Sequence, residues 1–160
     1  MDLAHYKEQS KFKRKENNQF FKRLKRVSPK VLDKLIHPLH DSVFDKTNCL
    51  ECANCCKTTG PLFTDKDINR IARGLKMKPS EFTEKYLKID EDRDYVLKSL
   101  PCAFLSKDNY CSIYAFRPKA CREFPHTDRI KQCQLLDLTK KNVEVCPAVF
   151  KIIEKLKTVF

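Results

Sequence analysis

The chain has 160 residues, nine of them cysteine, and a formal net charge of +12 at pH 7. This length is sufficient for one domain with a buried core, and 34% charged against 41% apolar residues is the composition of a soluble globular protein. No stretch approaches the ~18 apolar residues that a membrane span needs, so we expect no membrane partner.

The N-terminal sequence MDLAHYKEQSKFKRKE has neither the apolar core nor the small-residue cleavage site of a secretory signal. We therefore expect a cytoplasmic protein. In a reducing cytosol an odd number of cysteines does not indicate disulfides. Because the cysteines cluster at metal-ligand spacing, they indicate metal binding, with one or two left as buried apolar side chains.

Residues 1–46 are predicted to form a basic helical extension that packs on or flanks the rest of the chain. The segment 11–26, KFKRKENNQFFKRLKR, holds eight basic residues and one acid. Phe20, Leu24 and Val27 recur at helical spacing and predict an amphipathic helix. Its charges form either a solvated face or a surface for an anionic partner, such as nucleic acid, or for a protein.

Further helices are predicted by an N-cap residue, a first-turn proline or a capping box at each start: Ser28-Pro29, Thr64 with Asp67, Pro79-Ser80 and Cys146-Pro147. Pro38 should end the first of these helices near His37. Residues 94–116 instead predict extended segments with a turn at 107–109. The expected fold is mostly α with a small antiparallel β-hairpin, an irregular cysteine-rich, metal-centred single domain over 47–160 that ends in a helix.

The segment CLECANCC at 49–56 carries the strongest chemical signal. Cys49, Cys52 and Cys55 form C-x-x-C-x-x-C, and this spacing lets two thiolates of one turn reach a single ion. The run is also typical of ferredoxin-type iron–sulfur sites, whose remote ligand is followed by proline, as Cys146 is by Pro147. Zinc and an iron–sulfur cluster are both compatible with these residues.

The adjacent pair Cys55 and Cys56 presents a geometric problem. Neighbouring side chains in a helix diverge by about 100°, so we expect the two thiols to face different ways. Either one of them is spare or they face two metals. Nine cysteines suffice for two four-thiolate centres with one left over, or for one centre with several structural thiols.

Three further motifs follow the cysteine run in order: PCAFL (101–105), YCSIY (110–114) and RPKACREFP (117–125). Over roughly 47–150 the chain resembles the YkgJ-type cysteine-cluster family of zinc- or iron-chelating proteins. The resemblance implies metal ligation by the cysteines at its motif positions, to which we add the last one: Cys49, Cys52, Cys55, Cys56, Cys102, Cys111, Cys121, Cys133 and Cys146. Relatives of the family include flagellin lysine N-methylase, with a similar run for an iron–sulfur cluster.

Arg117 and Arg122 lie inside the RP-x-x-CRE motif and are candidate cofactor-binding residues. An arginine beside a negative thiolate centre would tune its potential or hold an anionic ligand. In the alternative interpretation, a pair formed by arginine and a carboxylate such as Glu123 braces a short helix. No residue is predicted to be catalytic, because nothing selects one nucleophilic thiol among nine.

The leading hypothesis is a cytoplasmic protein that holds an iron–sulfur cluster or zinc through cysteines. Its metal would stabilise the fold or support a redox or protein-modification reaction. One alternative is a zinc-scaffolded nucleic-acid-binding module that uses the basic N-terminal helix. The other is a methylase-like enzyme component, although a chain with only two glycines has no glycine-rich nucleotide loop.

Overall fold

A computed structural model describes residues 2–160. It is mostly helical with one small antiparallel sheet, which confirms the predicted fold class. The helices are α1 Leu3–Phe12, α2 Arg14–Leu24, α3 Pro29–Phe44, α4 Cys49–Cys52, α5 Asn54–Thr58, α6 Asp65–Gly74, α7 Pro79–Tyr86, α8 Lys119–Glu123, α9 Leu136–Val143 and α10 Pro147–Thr158. The strands are β1 Leu62–Phe63, β2 Leu87–Ile89 and β3 Tyr95–Leu97. Among residues 2–160, none of the helices combines the length and apolar character that crossing a membrane requires.

The chain forms two compact units. The first unit consists of the residues up to Cys52 together with Pro125–Phe160, and the second unit is Ala53–Phe124. The division does not follow the predicted boundary between residues 46 and 47, because the N-terminal helices and the C-terminal helix belong to the same unit. The second unit is therefore an insertion in the sequence of the first.

The first unit is built around an apolar cluster from helices α2, α3, α9 and α10. Its fully buried members include Leu24, Ile36, Val149 and Ile153, and Leu24 lies on the predicted apolar face of the 11–26 helix. Burial of such side chains stabilises the fold by roughly 1.5–3 kcal/mol each relative to exposure.

Helix α3 does not end near His37, as the proline rule predicts. It runs on through Pro38 to Phe44. The residues beyond the proline pack against α10, where Val43 joins Ala148 and Ile152 in a small buried cluster. This packing outweighs the local cost of the interior proline, about 3 kcal/mol.

The basic N-terminal helices pack within the first unit through polar contacts as well. The hydroxyl of Tyr6 donates to the carbonyl oxygen of Val143 at 2.7 Å, and both residues are buried. Lys13 pairs with Glu154, and Arg14 pairs with Glu144 at 2.8 Å. Part of the positive charge of the 11–26 segment is thus neutralised inside this unit.

The second unit packs helices α6 and α7 and the sheet around their own apolar cluster. The strand order is β1-β3-β2, all antiparallel, with Val96 opposite both Leu62 and Lys88. The predicted 94–116 hairpin is only partly correct. Strand β3 pairs with β2 instead, and the predicted turn near 107–109 closes a single bridge between Leu105 and Cys111.

Helix α6 begins with the predicted capping box. The Thr64 hydroxyl accepts from the Asp67 N–H at 3.2 Å, and an Asp67 carboxylate oxygen accepts from the Thr64 N–H at 3.1 Å. Asp67 is buried and also accepts from Arg70 at 2.6 Å and from the backbone N–H of Lys119 at 3.0 Å. This last bond fixes the start of α8, the helix that carries Cys121.

Candidate metal centre

Five of the nine thiols belong to the second unit. Helix α5 carries Cys55 and Cys56 and follows Ala53, which adopts a left-handed conformation with φ 45°. The N–H of Cys102 donates to the carbonyl of Cys56 at 2.8 Å, so the PCAFL segment lies against α5. Cys111 lies on the bridge with Leu105.

The thiols of Cys56, Cys102, Cys111 and Cys121 form one electrostatic group. Burial, and after it the charges of the other three thiols, raise the pKa of Cys121 to about 12. Burial likewise raises the pKa of Cys102, with Cys56 and Cys111 adding to the effect. Thiols from separate segments of the second unit therefore lie near enough to Cys121 and Cys102 to raise their pKa values.

The expectation that Cys55 and Cys56 face different ways is wrong. Their Sγ atoms lie 4.0 Å apart, and this contact is the main cause of the raised pKa of Cys56. An angle of about 100° between successive helical side chains still allows both sulfurs, one bond beyond Cβ, to turn toward each other. The separation is near the ~3.8 Å between two sulfurs on a tetrahedral zinc with Zn–S of about 2.3 Å.

The first unit holds the other four thiols. Cys49 and Cys52 are the first and last residues of α4, and Cys146 is the N-cap residue of α10. The pKa of Cys146 is raised to about 11, mainly by burial and also by the charges of Cys49 and Cys52, against the opposing effect of the N–H groups of Val149 and Ala148. Cys133 packs against the apolar cluster of this unit.

The donor chemistry fits a soft or borderline metal ion such as zinc or iron, because all nine cysteines are free thiols. Within residues 2–160, no group of three or more Cys, His, Asp or Glu side chains is already arranged to hold an ion. Only the thiolate is a metal ligand, so neutral thiols without a metal ion have no attraction that would draw their sulfurs together. Coordination therefore requires proton loss and closure of the sulfurs around the ion.

The two candidate arginines occupy different environments. The charge of Arg117 lowers the pKa of Cys111 and of Cys121, against the effect of burial. Its guanidinium carbon lies 3.8 Å from the ring centroid of Tyr114. Arg122 donates to the carbonyl of Arg117 at 3.1 Å, so it braces the backbone of the motif. Lys119 pairs with Glu123 at 3.7 Å.

Two residues that act on the cysteine-bearing parts of the chain carry no signal in the sequence. Arg70 donates to the carbonyls of Phe116 and Arg117 at 3.4 and 2.9 Å, which holds the segment before α8. The charges of Cys146 and Cys52 add to the burial that raises the pKa of Tyr6. Arg70 resembles any surface arginine of an amphipathic helix, and Tyr6 lies more than forty residues before the first cysteine.

Comparison with known proteins gives a family model and a distant relative. A family model described as "CxxCxxCC: Putative zinc- or iron-chelating domain" matches residues 48–147. A protein of Methanocaldococcus jannaschii, named "Uncharacterized protein MJ0661", is 32% identical over 91 residues, which cover 55% of this chain and 49% of that protein. The chain thus spans about half the length of this curated relative. No solved structure matches the chain.

Proposed function

Because the chain belongs to the CxxCxxCC family of zinc- or iron-chelating domains, we propose that its second unit holds zinc or iron in a closed, cysteine-ligated centre. The ligands are Cys56, Cys102, Cys111 and Cys121, with Cys55 beside them. The observation that carries the proposal is that separate segments of the sequence converge here: the N–H of Cys102 donates to the carbonyl of Cys56 at 2.8 Å, and Cys56, Cys102 and Cys111 all lie near enough to raise the pKa of Cys121.

Four thiolates form a closed ligand set for a structural zinc and also for an iron–sulfur cluster. The metal would supply cross-links between segments that contain little regular structure. Redox chemistry follows only if the centre is an iron–sulfur cluster.

Some of the protein's own groups oppose the effect of burial on these thiols and so partly stabilise the thiolate. Backbone N–H groups of Phe104 and Leu105 act on Cys102 and lower its pKa, against the larger effect of burial. The Ile113 N–H acts in the same way on Cys111. Hydrogen bonds and the positive charge of Arg117 stabilise negative sulfurs, so Arg117 has a charge-balancing role in this proposal.

The test is anaerobic purification followed by metal analysis and an absorption spectrum. A brown protein with a broad visible absorption would indicate an iron–sulfur cluster, and a colourless zinc-loaded protein would indicate a structural zinc. C102S and C121S should each lose metal, whereas C133S, the matched control, should retain it. A metal-free chain that is fully folded and keeps its stability in the presence of chelator would contradict the proposal.

The same proposal includes a reducing, cytoplasmic environment, since thiols must stay reduced to bind metal. A nucleic-acid surface on the basic helix receives less support. Lys13 and Arg14 are paired with carboxylates of the first unit, and Lys25 pairs with Asp137 at 2.7 Å. Ion pairing of this kind reduces the charge available to phosphates.

A further inference from the structure

Away from the cysteine-rich segments, the first unit carries a groove that is lined mainly by basic side chains. It consists of two adjoining hollows of about 370 and 360 Å³. Lys7 and Lys11 line the first hollow, and the second is lined by Lys140 and Lys141. Arg14 and Glu144 line both, so the two hollows form one continuous surface, which we call the basic groove.

The helices explain why these lysines share one surface. Lys7 and Lys11 are four residues apart in α1 and therefore lie on the same face of that helix. Lys140 and Lys141 belong to the last turn of α9, where the helix dipole favours positive charge. The basic groove therefore receives one pair of lysines from each side.

The charges of the basic groove are largely unbalanced. All four lysines are exposed, and within residues 2–160 none of them forms an ion pair. Arg14 differs, because its Nε and Nη2 donate to the two carboxylate oxygens of Glu144 at 2.8 and 3.0 Å. Five basic side chains thus face one carboxylate, and an anionic ligand would relieve the repulsion among them.

The pair of Arg14 and Glu144 indicates which anion the basic groove can hold. Two parallel hydrogen bonds to a carboxylate are the geometry that a guanidinium group favours. The two side chains are 66% and 47% exposed, so their pair contributes little to stability. Glu144 can therefore be exchanged on Arg14 for the carboxylate of a ligand.

The lining favours a peptide over a nucleic acid. Of the described residues that line the basic groove, none is aromatic, so the bases of a single strand would have no ring to stack on. The aliphatic stems of the lysines and the side chain of Val145 offer apolar contacts beside the charges. Peptide side chains can use such contacts, whereas a phosphate backbone cannot.

We propose that the basic groove binds an acidic segment of a partner protein. One carboxylate of that segment takes the place of Glu144 on Arg14, and further carboxylates pair with the lysines on either side. Charge complementarity of this kind speeds association and selects acidic partners over others. The proposal does not rest on the metal centre of the second unit.

The experiment measures binding of a fluorescently labelled peptide of glutamate and leucine residues to the full chain by fluorescence anisotropy. A peptide with glutamine in place of every glutamate is the neutral probe. The wild-type chain should bind the acidic peptide and not the neutral one, and added salt should weaken the binding. K140A/K141A should weaken it about tenfold, the effect of losing two exposed ion pairs. Equal binding of the two peptides would overturn the proposal.

K66A/K88A is the matched control, because both lysines are exposed and belong to the second unit. It removes the same amount of positive charge and should keep the wild-type affinity. Circular dichroism verifies that both double variants are folded. An equal loss of affinity in the two would mean that only the net charge of the chain acts, and would overturn the proposal.

The exchange on Arg14 has its own test. E144Q removes the competing carboxylate and should tighten binding of the acidic peptide severalfold. E91Q makes the same change at an exposed residue of the second unit and should have no effect. An E144Q chain that binds no more tightly than the wild type would contradict the exchange. A single-stranded or duplex oligonucleotide that binds more tightly than the acidic peptide at the same salt would overturn the choice of partner.

Discussion

The hydroxyl of Tyr6 donates a hydrogen bond to the backbone carbonyl of Val143, and thereby joins helix α1 to the end of α9. Tyr6 is only 3% exposed, so neither group has water as an alternative partner. Ser10 approaches the same carbonyl at 3.4 Å, a weaker contact. This bond connects the N-terminal helix to the part of the chain that leads into Cys146.

We expect Y6F to lower the free energy of unfolding by about 1 kcal/mol, because it leaves a buried carbonyl with only the weaker contact. Urea unfolding monitored by circular dichroism would measure the change. Tyr110 is 52% exposed, so Y110F serves as a control that should leave stability unchanged. Equal effects of the two substitutions would contradict this role for Tyr6.

Asp67 should be the strongest single carboxylate contribution to the second unit. Burial alone would raise its pKa, but the hydrogen bonds from Arg70, Thr64 and Lys119 outweigh it and lower the pKa below its ordinary value. D67N removes the ion pair and weakens the cap, and should cost about 2 kcal/mol. Chemical unfolding at neutral pH measures this cost.

The lowered pKa of Asp67 makes the stability of the folded chain depend on pH. A carboxyl with a lowered pKa in the folded state contributes stability above its unfolded pKa, about 3.9, and loses it as pH falls through the folded pKa. The wild-type chain should therefore lose stability in acid by more than D67N does. D65N, in the same helical turn but exposed, should follow the wild-type curve. Parallel curves for wild type and D67N would refute the assignment.

Substitution by alanine should affect the two glycines differently. A Cβ at Gly74 would lie 2.7 Å from the ring of Phe116, whereas one at Gly60 would meet Leu97 at an ordinary 3.5 Å. Overpacking of this kind costs about 1–3 kcal/mol, and the helix propensity of alanine returns only about 1 kcal/mol. Thermal unfolding should show a lower Tm for G74A and no loss for G60A. A G74A chain as stable as the wild type would mean that the Phe116 ring moves aside freely.

Glu154 accepts from Lys157 at 2.6 Å and also pairs with Lys13, and its side chain is 23% exposed. E154Q removes the carboxylate partner of Lys13 and one of the two carboxylates that pair with Lys157, which keeps Glu16, and should cost about 1 kcal/mol, less at high salt. D137N is the comparison, because Asp137 pairs with Lys25 on the open surface and should contribute nothing measurable. Urea titrations at low and high salt measure the stability cost of E154Q and of D137N separately. An E154Q cost that does not change with salt would argue for packing rather than charge.

Local chemistry explains which elements were predictable from the sequence. Thr64, Pro79 and Pro147 determine helix starts through bonds and dihedral limits within a few residues, and all three helices begin where these residues indicate. Pro38 follows an equally local rule, yet α3 continues because burial of Val43 depends on α10, far along the chain. Tertiary packing outweighs propensity in such cases.

The site was less predictable for the same reason. The C-x-x-C spacing places Cys49 and Cys52 on one short helix, but it contains no information on which distant cysteines approach one another. The pairing of β3 with β2 rather than with the segment after residue 107 likewise depends on long-range contacts. The Cys55–Cys56 separation was mispredicted because side-chain torsions, unlike Cα–Cβ directions, are not determined by helical phase.

Because the second unit is inserted in the sequence of the first, the two units become complete at different times during synthesis. Since domains fold as units during synthesis, the second unit emerges whole, with its five thiols, before Pro125 leaves the exit tunnel. Helices α1 to α3 must wait for α9 and α10 to reach them. A nascent chain arrested when Pro125 is about to leave the exit tunnel therefore exposes a complete set of ligands for the proposed closed centre and an unfinished first unit, so metal capture can precede completion of the fold.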